Sequence, residues 1–174
     1  YTVMSISGSF SATSATRKLG YDPFDALIPV VELGYVANVL VVHPALPVKT
    51  TRELITLARA KPDTLVFAST GIGGNTHLST ELFLSMAGIK MIHVPYKSTG
   101  VAMPELMAGQ TQVMVAGMLG AQPFYTIGRL RALGVTSAKR WPSLPNLPAI
   151  AETLPGYESG TYYGMFFPKG TPQA

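Results

Sequence analysis

Between Thr64 and Gly88 the hydrophobic period changes from that of a strand to that of a helix, across a loop almost without side chains. No other stretch constrains the fold as much. Thr64 to Ala68 is a short β-branched and aromatic run, and Leu78, Leu82, Phe83 and Met86 then recur at helical spacing until Gly88 stops them. Gly71, Gly73 and Gly74 lie between. Such a loop lets the backbone approach a bound group closely, and it leaves the first N–H groups of the helix, near Asn75, Thr76 and His77, without intrahelical partners. The helix dipole adds about 0.3 to 1 kcal/mol for a negative group held there, so the stretch reads as an anion seat. The alternative is a tight turn with Asn75 or Thr76 as an ordinary N-cap, and the loop alone favours neither. Gly71-Ile-Gly73-Gly74-Asn75 matches neither a Walker loop ending Gly-Lys-Ser/Thr nor the dinucleotide pattern Gly-x-Gly-x-x-Gly. With no lysine in the loop, a small carboxylate is favoured over a nucleotide.

The rest of the chain repeats the alternation. Tyr1 to Ser7 reads as a strand already under way without an initiating methionine, from which a fragment is expected, and Gly8 to Ser14 as a hydroxyl-rich loop. Leu27 to Leu33 and Val36 to Val42 read as two strands separated by Gly34-Tyr35. Thr50-Thr-Arg-Glu53 fits a capping box whose Glu reaches back to the N-cap amide, opening a helix that Lys61-Pro62 ends. Strands follow at Lys90 to Val94, Thr111 to Ala116 and Leu130 to Thr136, with helices at Val101 to Met107 and Ala121 to Ile127. Pro104 is placed in the first turn of its helix. After a Pro-rich connection come a brief helix at Ala149 to Thr153 and an aromatic strand at Thr161 to Phe167. The order β-α-β-α-β-α-β predicts an α/β fold with a parallel-rich sheet flanked by helices, and ligands at the carboxyl ends of its strands.

Composition narrows the function classes. Hydrophobic residues at 47% against 13% charged exclude a disordered chain. The net charge of +4 comes from scattered residues, with Arg17-Lys18 and Lys139-Arg140 the only adjacent basic pairs, so no nucleic-acid stripe is present. Zero cysteines exclude disulfides, thiolate metal sites and a cysteine nucleophile. No apolar run has transmembrane length, and an export signal removed upstream would leave no trace in this stretch.

Several segments together resemble a known family. They are Leu40-Val-Val-His-Pro44, Ala68-Ser-Thr-Gly71 leading into Thr76-His-Leu-Ser-Thr-Glu-Leu-Phe83, His93-Val-Pro-Tyr-Lys97, Gly109-Gln-Thr-Gln-Val-Met114, Leu130-Arg-Ala-Leu-Gly-Val-Thr-Ser137 and Leu154-Pro-Gly-Tyr157. In this order and over nearly the whole chain, the set resembles the tripartite tricarboxylate transporter receptors, the TctC-like or Bug solute-binding proteins. The resemblance implies a periplasmic-binding-protein-like fold in which two α/β lobes close over a small carboxylate, in the periplasm, and pass it to membrane subunits of a tripartite transporter. It implies that residues 38–160 form the second lobe, 1–37 part of the first, and 161–174 the return to the first. Carried over by motif, Ser69, Thr70, Gly71, Gly73, Gly74, Asn75, Thr76 and His77 would bind the ligand, with Gly8 and Ser9 in a first-lobe loop. No cofactor, metal, nucleic acid or membrane insertion is expected. Many such proteins carry an Asp two residues after the methionine of Gln-Val-Met, able to meet a ligand amino group. Ala116 stands there, which disfavours an amino-acid ligand.

The rival from another class is a cofactor-free α/β enzyme acting on a small carboxylate. Ser9 and Ser69 are its candidate nucleophiles, yet no Gly-x-Ser-x-Gly elbow surrounds either. His77 lacks a second histidine or acidic cluster in its neighbourhood of the sequence, so it reads as structural, as do His43 and His93. Lys97 reads as a solvated loop lysine, and Tyr162 and Tyr163 as strand aromatics of the core or a cleft wall.

Overall fold

The computed structural model describes residues 2–7, 10 and 18–172. Its longest element is β2, Leu27–Val42, which runs through Gly34-Tyr35 without a break where the sequence predicts two strands. The side-chain pattern stops there while the backbone stays extended, since a lone glycine removes packing from a strand and leaves its peptide groups intact. The chain separates into two units, Tyr1–Val36 with Thr161–Ala174, and Ala37–Gly160, and β2 passes from one to the other.

In the first unit β1, Met4–Ser7, pairs antiparallel with β7, Gly160–Pro168, placing Met4 opposite Phe166 and Ser7 opposite Tyr163. In the sheet order β7 lies between β1 and β2. A one-turn helix α1, Pro23–Ala26, starts at Asp22, whose carboxylate accepts the Phe24 N–H at 2.9 Å. Phe24, Val30, Val31 and Leu33 are exposed, and the first three line a hollow of about 620 Å³ with Tyr163 and Phe166.

The second unit holds α2, Thr51–Ala60; β3, Val66–Ser69; α3, Asn75–Ala87; β4, Ile92–Pro95; α4, Thr99–Met107; β5, Val113–Gly117; α5, Met118–Thr126; β6, Arg131–Val135; and a 3-10 turn at Ile150–Glu152. β3 is parallel to β4 and to β5, whereas β2 runs antiparallel to β5 and β6. The sheet is mixed. Its parallel part is the three strands joined by helical crossovers, and β2 enters against them.

Both faces of this sheet are covered, which accounts for the near-continuous apolar runs of β2 and β5. Leu40, Val42, Phe67, Val113 and Val115 face α2 and α3 through Leu54, Ala58, Phe83 and Leu84. Val39, Val41, Ala68, Met114 and Ala116 face α4 and α5 through Ala102, Met103, Leu106 and Ala121. Each Val or Leu so buried contributes about 1.5 to 3 kcal/mol against remaining exposed.

Two local expectations are corrected. Thr50 does accept the Glu53 N–H at 3.1 Å, but the Glu53 carboxylate reaches the Lys49 N–H, one residue beyond the N-cap amide. α4 begins at Thr99, so Pro104 lies inside the helix instead of in its first turn.

Candidate functional site

Because β3, β4 and β5 are parallel, their carboxyl ends share one edge of the sheet. From that edge three helices start: α3 after Gly74, α4 after Ser98 and α5 after Gly117. None of the three has a side-chain cap hydrogen bond. α2, which follows antiparallel β2 at the other edge, is capped by Thr50. The uncapped ends therefore gather on one side, each with first-turn N–H groups and the positive end of a helix dipole.

The loop between β3 and α3 uses part of its own backbone. Thr70 N–H donates to Thr76 Oγ1 at 3.0 Å, Gly71 N–H to Ser69 Oγ at 3.2 Å, Gly73 N–H to His77 Nδ1 at 3.2 Å and Gly74 N–H to Gly71 O at 3.3 Å. These bonds draw the loop into a fixed curl. The first-turn amides of Asn75, Thr76 and His77 are what it presents at the helix start, so the seat is narrower than the loop. Gly71 has φ of 122° and Gly73 of 76°, values that a side chain with a Cβ rarely adopts. Ile72, between them, is 69% exposed.

Behind the curl lies an aromatic stack that sequence reading missed. The Phe67 and His93 rings lie 4.6 Å apart at 12°, and the His93 and His77 rings 4.2 Å apart at 27°. His93 Nε2 and Ser69 Oγ are hydrogen-bonded at 2.7 Å, and His77 Nε2 lies 3.6 Å from the exposed Glu81 carboxylate. Burial, and next the neighbouring His77, hold the His93 pKa below its ordinary value. The signal was spatial: the register sets His93 opposite Phe67, and no spacing in the sequence encodes that pairing.

The Asn75 side chain turns away from the loop, to Asn38 at 2.6 Å and to the Gly160 carbonyl at 2.8 Å. Ala116 is fully buried in the apolar layer against α4 and α5. Lys97 is exposed, and so are Tyr162 and Tyr163. Gly8 and Ser9 lie outside the described residues. Among the described residues no cluster of three metal-ligating side chains exists, and no helix is long and apolar enough to cross a membrane.

A family model described as the tripartite tricarboxylate transporter family receptor matches residues 1–174. The chain belongs to that family. A relative from Pseudomonas sp. strain P51, the UPF0065 protein in the tcbD-tcbE intergenic region, is 39% identical over 149 residues, covering 84% of this chain and 44% of its own length. The solved R. palustris protein Rpa4515 with adipate superposes with a TM-score of 0.84 at 39% identity, over 90% of this chain and 53% of that one. MatC (Rpa3494) from Rhodopseudomonas palustris, with bound malate, gives a TM-score of 0.87 at 28% identity, over 98% of this chain and 59% of that one. The chain thus spans about half the length of these relatives.

Proposed function

We propose that this chain is part of a periplasmic solute-binding receptor that captures a small carboxylate, a di- or tricarboxylate or an aromatic acid, for the membrane subunits of a tripartite tricarboxylate transporter. The observation that carries the reading is the gathering of three uncapped helix starts at the carboxyl edge of β3, β4 and β5, beside a curl with no cationic side chain. Neutral amide donors suit a carboxylate that has to be bound and released again. Adipate and malate in two family neighbours support the same ligand class. Within it, the first-turn amides of α3 hold a carboxylate, Ser69, Thr70, Gly71, Gly73 and Gly74 shape the curl, His77 steadies it, and Gly8 and Ser9 complete the set from a first lobe. Residues 38–160 act as the second lobe, with 1–37 and 161–174 belonging to the first.

Binding proceeds without chemistry in this reading. The Ser69 to His93 contact has the form of a nucleophile and base, but Ser69 is fully buried and its oxygen already takes the Gly71 N–H. The test is calorimetry on a full-length receptor with adipate, malate, citrate and benzoate, followed by recovery of the acid. Stoichiometric retention of unchanged acid is expected, and turnover would make the protein an enzyme.

A further inference from the structure

Asn75, the first residue of α3, has both ends of its side-chain amide committed. Its Nδ2 donates to the Gly160 carbonyl at 2.8 Å, and its Oδ1 accepts from Asn38 Nδ2 at 2.6 Å. The orientation is forced, because a carbonyl only accepts, so the nitrogen must face Gly160 and the oxygen Asn38. Asn38 is 3% exposed, and Thr136 holds its backbone: Asn38 N–H donates to Thr136 Oγ1 at 2.8 Å, and Asn38 O accepts from Thr136 N–H at 2.9 Å. Ser159 N–H donates to Thr136 O at 2.9 Å. Asn38 and Gly160 flank the two points where the chain leaves the second unit, Val36 to Ala37 and Gly160 to Thr161. One side chain at the helix start thus reaches both exits.

We propose that Asn75 is a positioning residue, a clamp tying the carboxylate seat to both exits, so that occupancy of the seat is transmitted to them. The inference rests on the carboxylate reading. The Asn75 N–H belongs to the first turn that meets the anion, while its side chain belongs to the exit network, and one residue carries both roles. Fixing the backbone at the seat narrows the side-chain torsions and strengthens two partly buried hydrogen bonds, which in a low-dielectric site are worth more than in water. By linkage the reverse holds: well-held exits pre-organise the seat.

The experiment uses a full-length receptor and three variants, Asn38→Ala, Asn75→Ala and the double. Asn38→Ala matters most, since it opens the clamp without touching the seat. Amide exchange is followed with and without adipate or malate, alongside calorimetry. In the wild type either acid should slow exchange at residues 75–78 and at 36–40 and 158–161. In both single variants the slowing at 75–78 should persist; Asn75→Ala should lose it at both exits, whereas Asn38→Ala, which leaves the Asn75 to Gly160 bond in place, should lose it at 36–40. Each should bind about fivefold more weakly, and the double variant also about fivefold, not the roughly 25-fold of independent sites. Exits that still respond in both single variants, or affinity losses that multiply, overturn the clamp. Should neither acid slow exchange anywhere in the wild type, the carboxylate reading fails on its own. The clamp is then decided without ligand: faster exchange at both exits in Asn75→Ala and at 36–40 in Asn38→Ala upholds it, and unchanged exchange at either exit in Asn75→Ala overturns it.

Discussion

Ser69 Oγ and His93 Nε2 are joined at 2.7 Å across two parallel strands, one rung apart on the face of the sheet that α3 covers. The contact places a titratable ring directly behind the backbone curl. The Phe67 and His77 rings, 4.6 and 4.2 Å away, leave the half-buried ring less of the water that a charge would need.

A folded histidine pKa below the unfolded value near 6.5 means that the unfolded chain binds more protons between the two values, so stability rises with pH across that window. The contribution is complete above 6.5 and is lost as the pH falls towards the folded pKa. Thermal unfolding of the wild type and of His93→Gln from pH 8 to pH 5 checks this. The wild type should lose its advantage as the solution is acidified, and a constant difference between the two would show that His93 does not titrate in this way.

Gly73→Val should abolish carboxylate binding in a full-length receptor while circular dichroism stays native. Its φ of 76° excludes a β-branched residue, and the core lies elsewhere. Thr76→Ala removes the acceptor of the Thr70 N–H and should cost on the order of 1 kcal/mol, about fivefold in affinity. Normal adipate and malate binding by Gly73→Val would reduce the loop to a turn.

The Glu152 carboxylate accepts from Arg140 at 2.8 and 2.9 Å and from the Ala149 N–H at 3.0 Å, which together hold its pKa at about 2 against an ordinary 4.5. Its stabilisation is present above pH 4.5 and disappears as the pH falls through about 2. The melting-temperature difference between wild type and Glu152→Gln should therefore shrink on acidification through that range, and also shrink in high salt because the pair is exposed. A difference that persists at pH 2 would assign the effect to something other than the ion pair.

Amide exchange should be slowest in β3 and β5, whose side chains are buried on both faces, and fastest in the first unit around Val30, Val31 and Leu33, which are about half exposed. Equal protection throughout would contradict that ranking.

The α/β class and most elements were legible because their signals are local: alternating apolar runs, Gly88 in the left-handed region ending α3, and Thr50 opening α2. The antiparallel entry of β2 was not, since strand direction within a sheet is set by pairing with β5 and β6, far along the chain. The same limit hid the candidate site's support. Asn75 looked like a cap or a ligand group because its neighbours in sequence are loop glycines, while its hydrogen-bond partners are 37 and 85 positions away. His93 likewise gains its role from Phe67 and Ser69 on the adjacent strand.

Peptide N–H groups at a helix start are the donors that point mutation does not remove, proline excepted. A seat made from the first turn of α3 is therefore inherited with the backbone, whatever side chains drift around it. Under the proposed reading, ligand preference is free to evolve at positions such as Ile72, which projects from the curl with 69% of its surface exposed. Descendants of such a receptor can exchange one acid for another by recolouring the rim, without rebuilding the grip.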